Sequence, residues 1–331
     1  MRNFLKLLFR VGLKTAALAI FLALIGWILI ARPVRPQNPT QLSTPPPDMS
    51  AALRRHVETL SIDIQNRNWK NPGQLDKAAE YVRSQWEEMG LTVEDQVFAV
   101  RDNTYRNLIV KLPGGGSSGK GKIIIGAHYD VAHDFPGADD NASGTAGLIE
   151  LTRLLKDKTF SQDIELVAYT LEEPPNFGTE NMGSFIHAQS EHEAGSKIDL
   201  MISIEMIGYY SDAPKSQSFP LKPLALYYPD KGNFIGVVDR LSSRRAAEVK
   251  KSMRGATDLP VHSINGPEAL PGINFSDHLN YWHFEYDAVM ITDTSFYRNT
   301  AYHTKDDTAD RLNYDNMAKV VMAISHYVAG A

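Results

Sequence analysis

The chain contains no cysteine. That excludes disulfides, a thiolate nucleophile, lipid attachment through sulfur and every thiolate zinc site, so any metal must be held by nitrogen and oxygen ligands. Basic charge is also in short supply: 34 Lys and Arg against 39 Asp and Glu leave a net charge of −5. The first 35 residues carry six basic residues (Arg2, Lys6, Arg10, Lys14, Arg32, Arg35) and no acid, so the rest of the chain carries −11. An acidic body lacks the basic face that phosphate neutralisation needs, which argues against nucleic acid as a partner. Nothing points to disorder: at 331 residues and 43% hydrophobic content the chain can build a substantial core.

Only one long apolar run is present, "TAALAIFLALIGWILIA" at residues 15–31. Extended back past Lys14 to Val11, it is about 30 Å long as a helix, enough to cross a bilayer core. A cleaved signal peptide would have a shorter apolar region and a small-x-small site, whereas this run ends "ILIARPVRP". Residues 1–31 therefore read as a short cytoplasmic stub and a single-pass membrane anchor. Four basic residues precede the span and two follow it, which places the N-terminus in the cytoplasm and the body outside, periplasmic or extracellular. Residues 32–48, rich in proline and polar side chains, read as an extended tether.

From residue 49 to 331 the chain reads as one domain. "AALRRHVETLSIDI" and "GQLDKAAEYVRSQWEEMG" have helical spacing, the second stopping at Gly90. Buried strands "NLIVKLP", "KIIIGA", "DIELVAYTL", "IDLMISI" and "AVMIT" then alternate with helices such as "AGLIELTRLLKD", "GSFIHAQSEHE" and the final "NYDNMAKVVMAISHYVAG". "LALYY" reads as a further strand, and 233–253 as a helix. Near-continuous apolar strands belong to a sheet covered on both faces, so the expected fold is a single three-layer α/β/α sandwich with a mixed, mostly parallel sheet.

The charged residues fall at the ends of those strands. "IIIGA" runs into His128 and Asp130, "ELVAYTL" into Glu172 and Glu173, and "LMISI" into Glu205, while "VMIT" is followed after a loop by His303. Asp139 and Asp140 sit in the loop before the next helix. Ligands of open α/β sheets bind outside the carboxyl ends of the strands. So many carboxylates close together repel unless a cation sits among them, and imidazole with carboxylate suits hydrolytic zinc. Two adjacent glutamates at a strand end point in different directions, so one can ligate while the other faces a water. Tyr302, next to His303, could polarise a scissile carbonyl.

The order His-x-Asp, Gly-x-Asp-Asp-x-x-Ser-Gly, Glu-Glu, acid-Met-Ile-Gly, and Tyr-His-Thr with Asp downstream resembles the dizinc aminopeptidases over residues 49–331. That family also includes glutamate carboxypeptidases, glutaminyl cyclases and metal-free receptor relatives. The resemblance implies two Zn²⁺ ions held by His128, Asp139, Glu173, Glu205 and His303. It implies Asp139 as the bridge, with His128 and Glu205 private to different metals and paired with Glu173 and His303 respectively. Glu172 is then the general base, Asp130 the carboxylate that orients His128, and the Asp139–Asp140 peptide bond cis. Glu205 departs from the aspartate usual there, and its longer arm puts the affinity of one metal site in question. "FSDHLNYW", with Asp277 and His278, resembles a pocket-lining segment, though a supporting or packing role fits it equally; His133 also lies near the signature. His56, His187, His192, His262, His283 and His326 read as surface or core residues. The specificity pocket is expected from residues 211–229 and 261–282. The expected activity is removal of N-terminal residues from peptide substrates. The alternatives are a glutaminyl-cyclase-like aminoacyltransferase, a glutamate-type carboxypeptidase and a non-catalytic binding ectodomain.

Overall fold

The computed structural model describes residues 2–34, 42–116 and 119–330. The apolar N-terminus is helical over Arg2–Gly26 (α1) and continues as a wider π turn over Trp27–Ala31. The stretch expected to be an extended tether makes contacts with the domain at both described ends. Arg32 Nη2 donates to Leu241 O at 2.8 Å, and Ser43 N donates to Ala256 O at 2.7 Å. Its middle, 35–41, lies outside the described residues.

There follow α2 (Met49–Glu58), α3 (Pro72–Glu88), β1 (Glu94–Val100), β2 (Asn103–Leu112), β3 (Lys122–His128), α4 (Gly144–Leu155), β4 (Ile164–Tyr169) and α5 (Gly183–Glu193). The second half comprises β5 (Ile198–Glu205), β6 (Ile235–Arg240), α6 (Arg245–Arg254), β7 (Val261–Gly266), α7 (His278–His283), β8 (Ala288–Thr292) and α8 (Tyr314–Ala329). Local chemistry marks several ends. Pro72 opens α3, where its missing N–H costs nothing. Gly90 takes φ +82° just after it. Asn313 caps α8 by accepting from Asn316 N, a contact that typically contributes about 1 kcal/mol.

Among the described residues the strands form one eight-stranded sheet in the order β1-β2-β4-β3-β5-β8-β6-β7. Its centre, β4-β3-β5-β8, is parallel throughout, while β1, β2 and the β8–β6 pairing are antiparallel. Every residue of β4 and β8 is buried, as strands covered on both faces require. Helices α2, α3, α4, α6 and α8 cover one face over the larger core, and α5 and α7 cover the other. The result is the three-layer sandwich.

Two sequence expectations fail locally. "LALYY" is not a strand: Lys222–Leu226 forms a short 3₁₀ turn, with Pro223 in its first positions where proline's fixed φ suits a helical turn. The 233–253 stretch is not one helix but β6, a turn and α6. Gly236 lets β6 lie close to β8, since a Cβ there would stand 3.2 Å from Thr292 O.

Candidate metal centre

Because the four central strands are parallel, their C-terminal ends share one edge, and the charged residues converge there. His128 ends β3 and Glu205 ends β5. Glu172 and Glu173 lie just past β4, and the loop after β8 brings in His303. His128 Nε2 stands 3.2 Å from Glu205 Oε2 and 3.5 Å from Asp140 Oδ1. His303 Nε2 stands 3.0 Å from Asp140 Oδ2 and 3.2 Å from Glu173 Oε2. Glu172 Oε2 is 3.8 Å from His128 Nε2. Residues Leu171, Met206 and His303 take φ of 59°, 46° and 52°, a strained left-handed backbone that non-glycine residues adopt mainly where surroundings enforce it.

Three sequence expectations are corrected by this geometry. The carboxylate between the two imidazoles is Asp140, one oxygen towards each, not Asp139. Asp139 turns the other way: its Oδ1 accepts from Gly208 N at 2.9 Å and its Oδ2 from Asn299 Nδ2 at 2.8 Å. Burial and then the neighbouring Asp293 raise its pKa well above the usual carboxylate value. The backbone explains the switch. Asp140 leaves the helical region (φ −102°, ψ 95°), so the two adjacent side chains leave on opposite sides. The partners are exchanged as well: His128 goes with Glu205, and His303 with Glu173. The cis bond is Asp140–Asn141, one residue later than expected.

The shell around these groups is built from distant segments. Asp130 lies 3.4 Å from His128 Nδ1 and also accepts from the backbone N–H groups of Glu172 and Glu173, at 3.1 and 3.0 Å. One carboxylate thus fixes both the imidazole and the glutamate pair. Asp307 accepts from the backbone N of Asp139 and of Asp140, pinning the bridging turn; burial and then Asp139 push its pKa up to about 8. The longer arm of Glu205 is seated by Ser276, whose Oγ donates to Glu205 Oε2 at 2.7 Å and contacts Ser203 Oγ at 2.8 Å. Ser276→Ala is expected to weaken zinc binding by about 10–100-fold, the usual effect of removing a ligand's hydrogen-bond partner. Competition with a fluorescent chelator measures it, and unchanged affinity would show that Ser276 does not position Glu205.

Arg67, which no motif in the sequence singles out, is fully buried beneath the cluster. It donates to the carbonyls of Leu60, Tyr129, Pro136 and Gly137 at 2.6–3.0 Å, tying down the loop that leads from His128 to Asp140. Asp277 is buried with neither carboxylate oxygen hydrogen-bonded, and burial pushes its pKa up to about 7. His278 packs its ring 4.5 Å from Trp282 and reaches Ile273 O at 2.8 Å, a packing role. Of the remaining histidines, His56 and His187 are buried against Glu150 and Glu165. His262 instead lines the cavity beside the cluster.

The donor set fits divalent zinc. His128 Nε2, His303 Nε2 and Glu173 Oε1 have no hydrogen-bond partner although all three atoms are buried, a costly state unless a cation receives them. Six carboxyl groups (Asp130, Asp140, Glu172, Glu173, Glu205, Asp277) are buried around two imidazoles that ligate only when neutral, an excess of negative charge that divalent cations would offset. Burial opposes charge on His128, yet Glu205, Glu172 and Asp130 together hold its pKa well above the usual imidazole value. Burial, then Asp140, push Glu173 up to about 7. Burial followed by its acidic neighbours raises Glu172 well above the ordinary range.

A cavity of about 300 Å³ opens beside these residues, with Asp140, Glu172, Glu173, Glu205, Tyr302 and His303 on one wall. Aromatic and aliphatic side chains form the rest, among them Phe177, Phe219, Phe234, Phe275, Phe296 and Met290. Both expected pocket segments contribute, through Phe219 and Tyr228 and through His262 and Ile273. Phe177, Phe234, Met290 and Phe296 come from elsewhere. The Tyr302 ring stacks on His303 with centroids 3.8 Å apart and planes at 15°.

A parallel-centred α/β/α sandwich with an acid–imidazole cluster at its strand ends defines a metallopeptidase of the zinc exopeptidase type. Residues 107–328 match the model for peptidase family M28, and the chain belongs to that zinc-dependent family. It is 42% identical over 315 residues to uncharacterized protein YfbL of Escherichia coli K12, covering 92% of this chain and 95% of that one. Leucine aminopeptidase 1 of Coccidioides posadasii is 25% identical over 243 residues, 68% of this chain; the chain spans 56% of that relative. Among solved structures, BSAP, a zinc aminopeptidase from Bacillus subtilis, superposes with a TM-score of 0.65 at 14% identity, covering 85% of this chain and 95% of its own. Glutaminyl cyclase from Fimbriiglobus ruber gives 0.62 at 18% identity over 89% and 99%. At such identities these two likenesses concern the fold.

Proposed function

We propose that the chain is a membrane-anchored dizinc aminopeptidase that removes large apolar N-terminal residues from peptides outside the cytoplasm. One observation carries the reading. The cavity sets an acidic wall against an otherwise apolar lining, and the described residues lining it include neither lysine nor arginine. A free α-amine suits the acidic wall. A terminal carboxylate, or the side chain of a C-terminal glutamate, would enter with nothing positive from the protein to meet it, which disfavours carboxypeptidase activity.

In this reading His128, Glu205 and Asp140 would hold one zinc, and His303, Glu173 and Asp140 would hold the other. Zinc, when bound, supplies Lewis-acid polarisation and lowers the pKa of water to about 7. Glu172, buried at the cavity wall, takes the proton of the attacking water and returns it to the leaving amine. The Tyr302 hydroxyl donates to the carbonyl oxygen as it gains charge. The surrounding aromatic side chains hold the N-terminal side chain and exclude water.

Leucyl and phenylalanyl amides should be hydrolysed, their N-acetylated forms should not, and chelator should abolish a rate that zinc restores. Hydrolysis of blocked peptides from the C-terminus would overturn the reading. So would conversion of N-terminal glutamine to a pyroglutamyl product with release of ammonia, which the cyclase fold likeness makes the alternative. The anchor is supported by the exposed apolar helix Phe9–Ala31, with a mean hydropathy of 2.3. A reporter that works only outside the cytoplasm, fused after Ala331, should be active and stay with membranes after a high-salt wash. Release of a chain shortened by the span would identify a cleaved signal instead.

A further inference from the structure

The anchor helix does not simply leave the domain; the domain grips it along its side. Lys250 Nζ donates to Ala31 O at 2.6 Å and to Arg32 O at 2.7 Å, and Ser263 Oγ donates to Ala31 O at 3.2 Å. Eight residues further back, the Tyr227 hydroxyl donates to Ala23 O at 3.0 Å. Gly26 permits that approach, since a Cβ there would stand 2.5 Å from the Tyr227 hydroxyl oxygen.

These contacts fix a depth. Ala23 lies about 12 Å along the helix from Ala31 at the usual rise per residue. The span Phe9–Ala31 is about 33 Å long, little more than the roughly 30 Å hydrocarbon core. A helix that crosses the bilayer over this span therefore carries the level of Ala23, and Tyr227 with it, below the membrane surface. The segment around Tyr227 is made for that position. Among the described residues Leu221 is 53% exposed and Leu226 76% exposed. Tyr227 has the amphipathic ring favoured at bilayer interfaces, and the Lys222 stem can carry its charge back to the headgroups.

We infer that the face formed by Leu221, Leu226 and Tyr227 is embedded in the outer leaflet of the bilayer that holds the anchor. The partner of this surface is lipid. The same segment supplies Phe219, Pro220 and Tyr228 to the catalytic cavity, so the cavity opens beside the membrane. Peptides with N-termini at the lipid surface are the substrates this placement reaches.

The inference rests on the anchor reading, and the test separates the two. The cysteine-free chain accepts a single label site, so full-length Leu226→Cys, Leu18→Cys and Val97→Cys variants are each labelled with an environment-sensitive fluorophore in phosphatidylcholine–phosphatidylglycerol vesicles. Leu18 reports the span, and Val97, on the far edge strand, reports water. The labels at 18 and 226 should be quenched by nitroxide lipids and protected several-fold from aqueous iodide, unlike that at 97. If 18 is quenched while 226 behaves like 97, the inference fails and the anchor stands. If 18 is not quenched, the anchor reading fails and the inference with it. A shielded label at 226 that nitroxide lipids do not quench would identify protein rather than lipid as the partner, and would overturn the inference.

Discussion

Asp140→Asn is expected to strip the protein of bound zinc and of peptidase activity together, whereas Asp139→Asn should keep both in large part. Asp140 places one oxygen 3.5 Å from His128 Nε2 and the other 3.0 Å from His303 Nε2, so both halves of the centre depend on it. Asparagine offers one neutral carbonyl oxygen in place of a charged pair, and zinc affinity should fall by more than the roughly 10–100-fold lost with a supporting residue. Asp139 is spent on Gly208 N and Asn299 Nδ2, away from the two imidazoles. An asparagine there keeps an oxygen for Gly208 and removes no oxygen that faces either imidazole, so its cost is one of stability. Metal content after dialysis against zinc-free buffer distinguishes the two. If Asp139→Asn were the metal-poor variant, the placement of the bridge would be one residue wrong.

The second large effect separates two neighbours of identical chemistry. Glu172→Gln should retain its zinc while the rate falls by about 10²–10⁴, the contribution of general base catalysis. Glu173→Gln should lose metal, because an amide is a poorer zinc ligand than a carboxylate, and added zinc should restore part of its activity. The distances make this a real test. Glu173 stands 3.2 Å from His303, but Glu172 also comes within 3.8 Å of His128 and groups with His128 and Glu205 in space. A metal-poor, zinc-rescued Glu172→Gln would reverse the roles.

The sequence exposes the strand ends far better than the turns between them. β3, β4, β5 and β8 are near-continuous apolar runs, interrupted only by Glu165 in β4 and by Asp199 and Ser203 in β5, and a parallel centre forces their carboxyl ends to one edge. His128, the Glu172–Glu173 pair and Glu205 can therefore be grouped from the pattern of residues alone. The Asp139–Asp140 choice cannot be settled that way. It turns on one non-helical φ/ψ pair at Asp140, and side-chain chemistry carries no trace of it. Arg67 is invisible for a related reason: its partners are four backbone carbonyls, so no acidic residue marks its place. β6 is hidden because its apolar residues run into those of α6 with a helix-like spacing. His262 joins the cavity only through the pairing of β6 with β7, a contact between separate segments.

Zinc-edge anomalous scattering from crystals of the full-length, zinc-loaded protein tests the central claim most directly. Two peaks are expected on either side of Asp140, one between His128 and Glu205 and the other between His303 and Glu173. A single peak, no peak, or a pair bridged by Asp139 would contradict it.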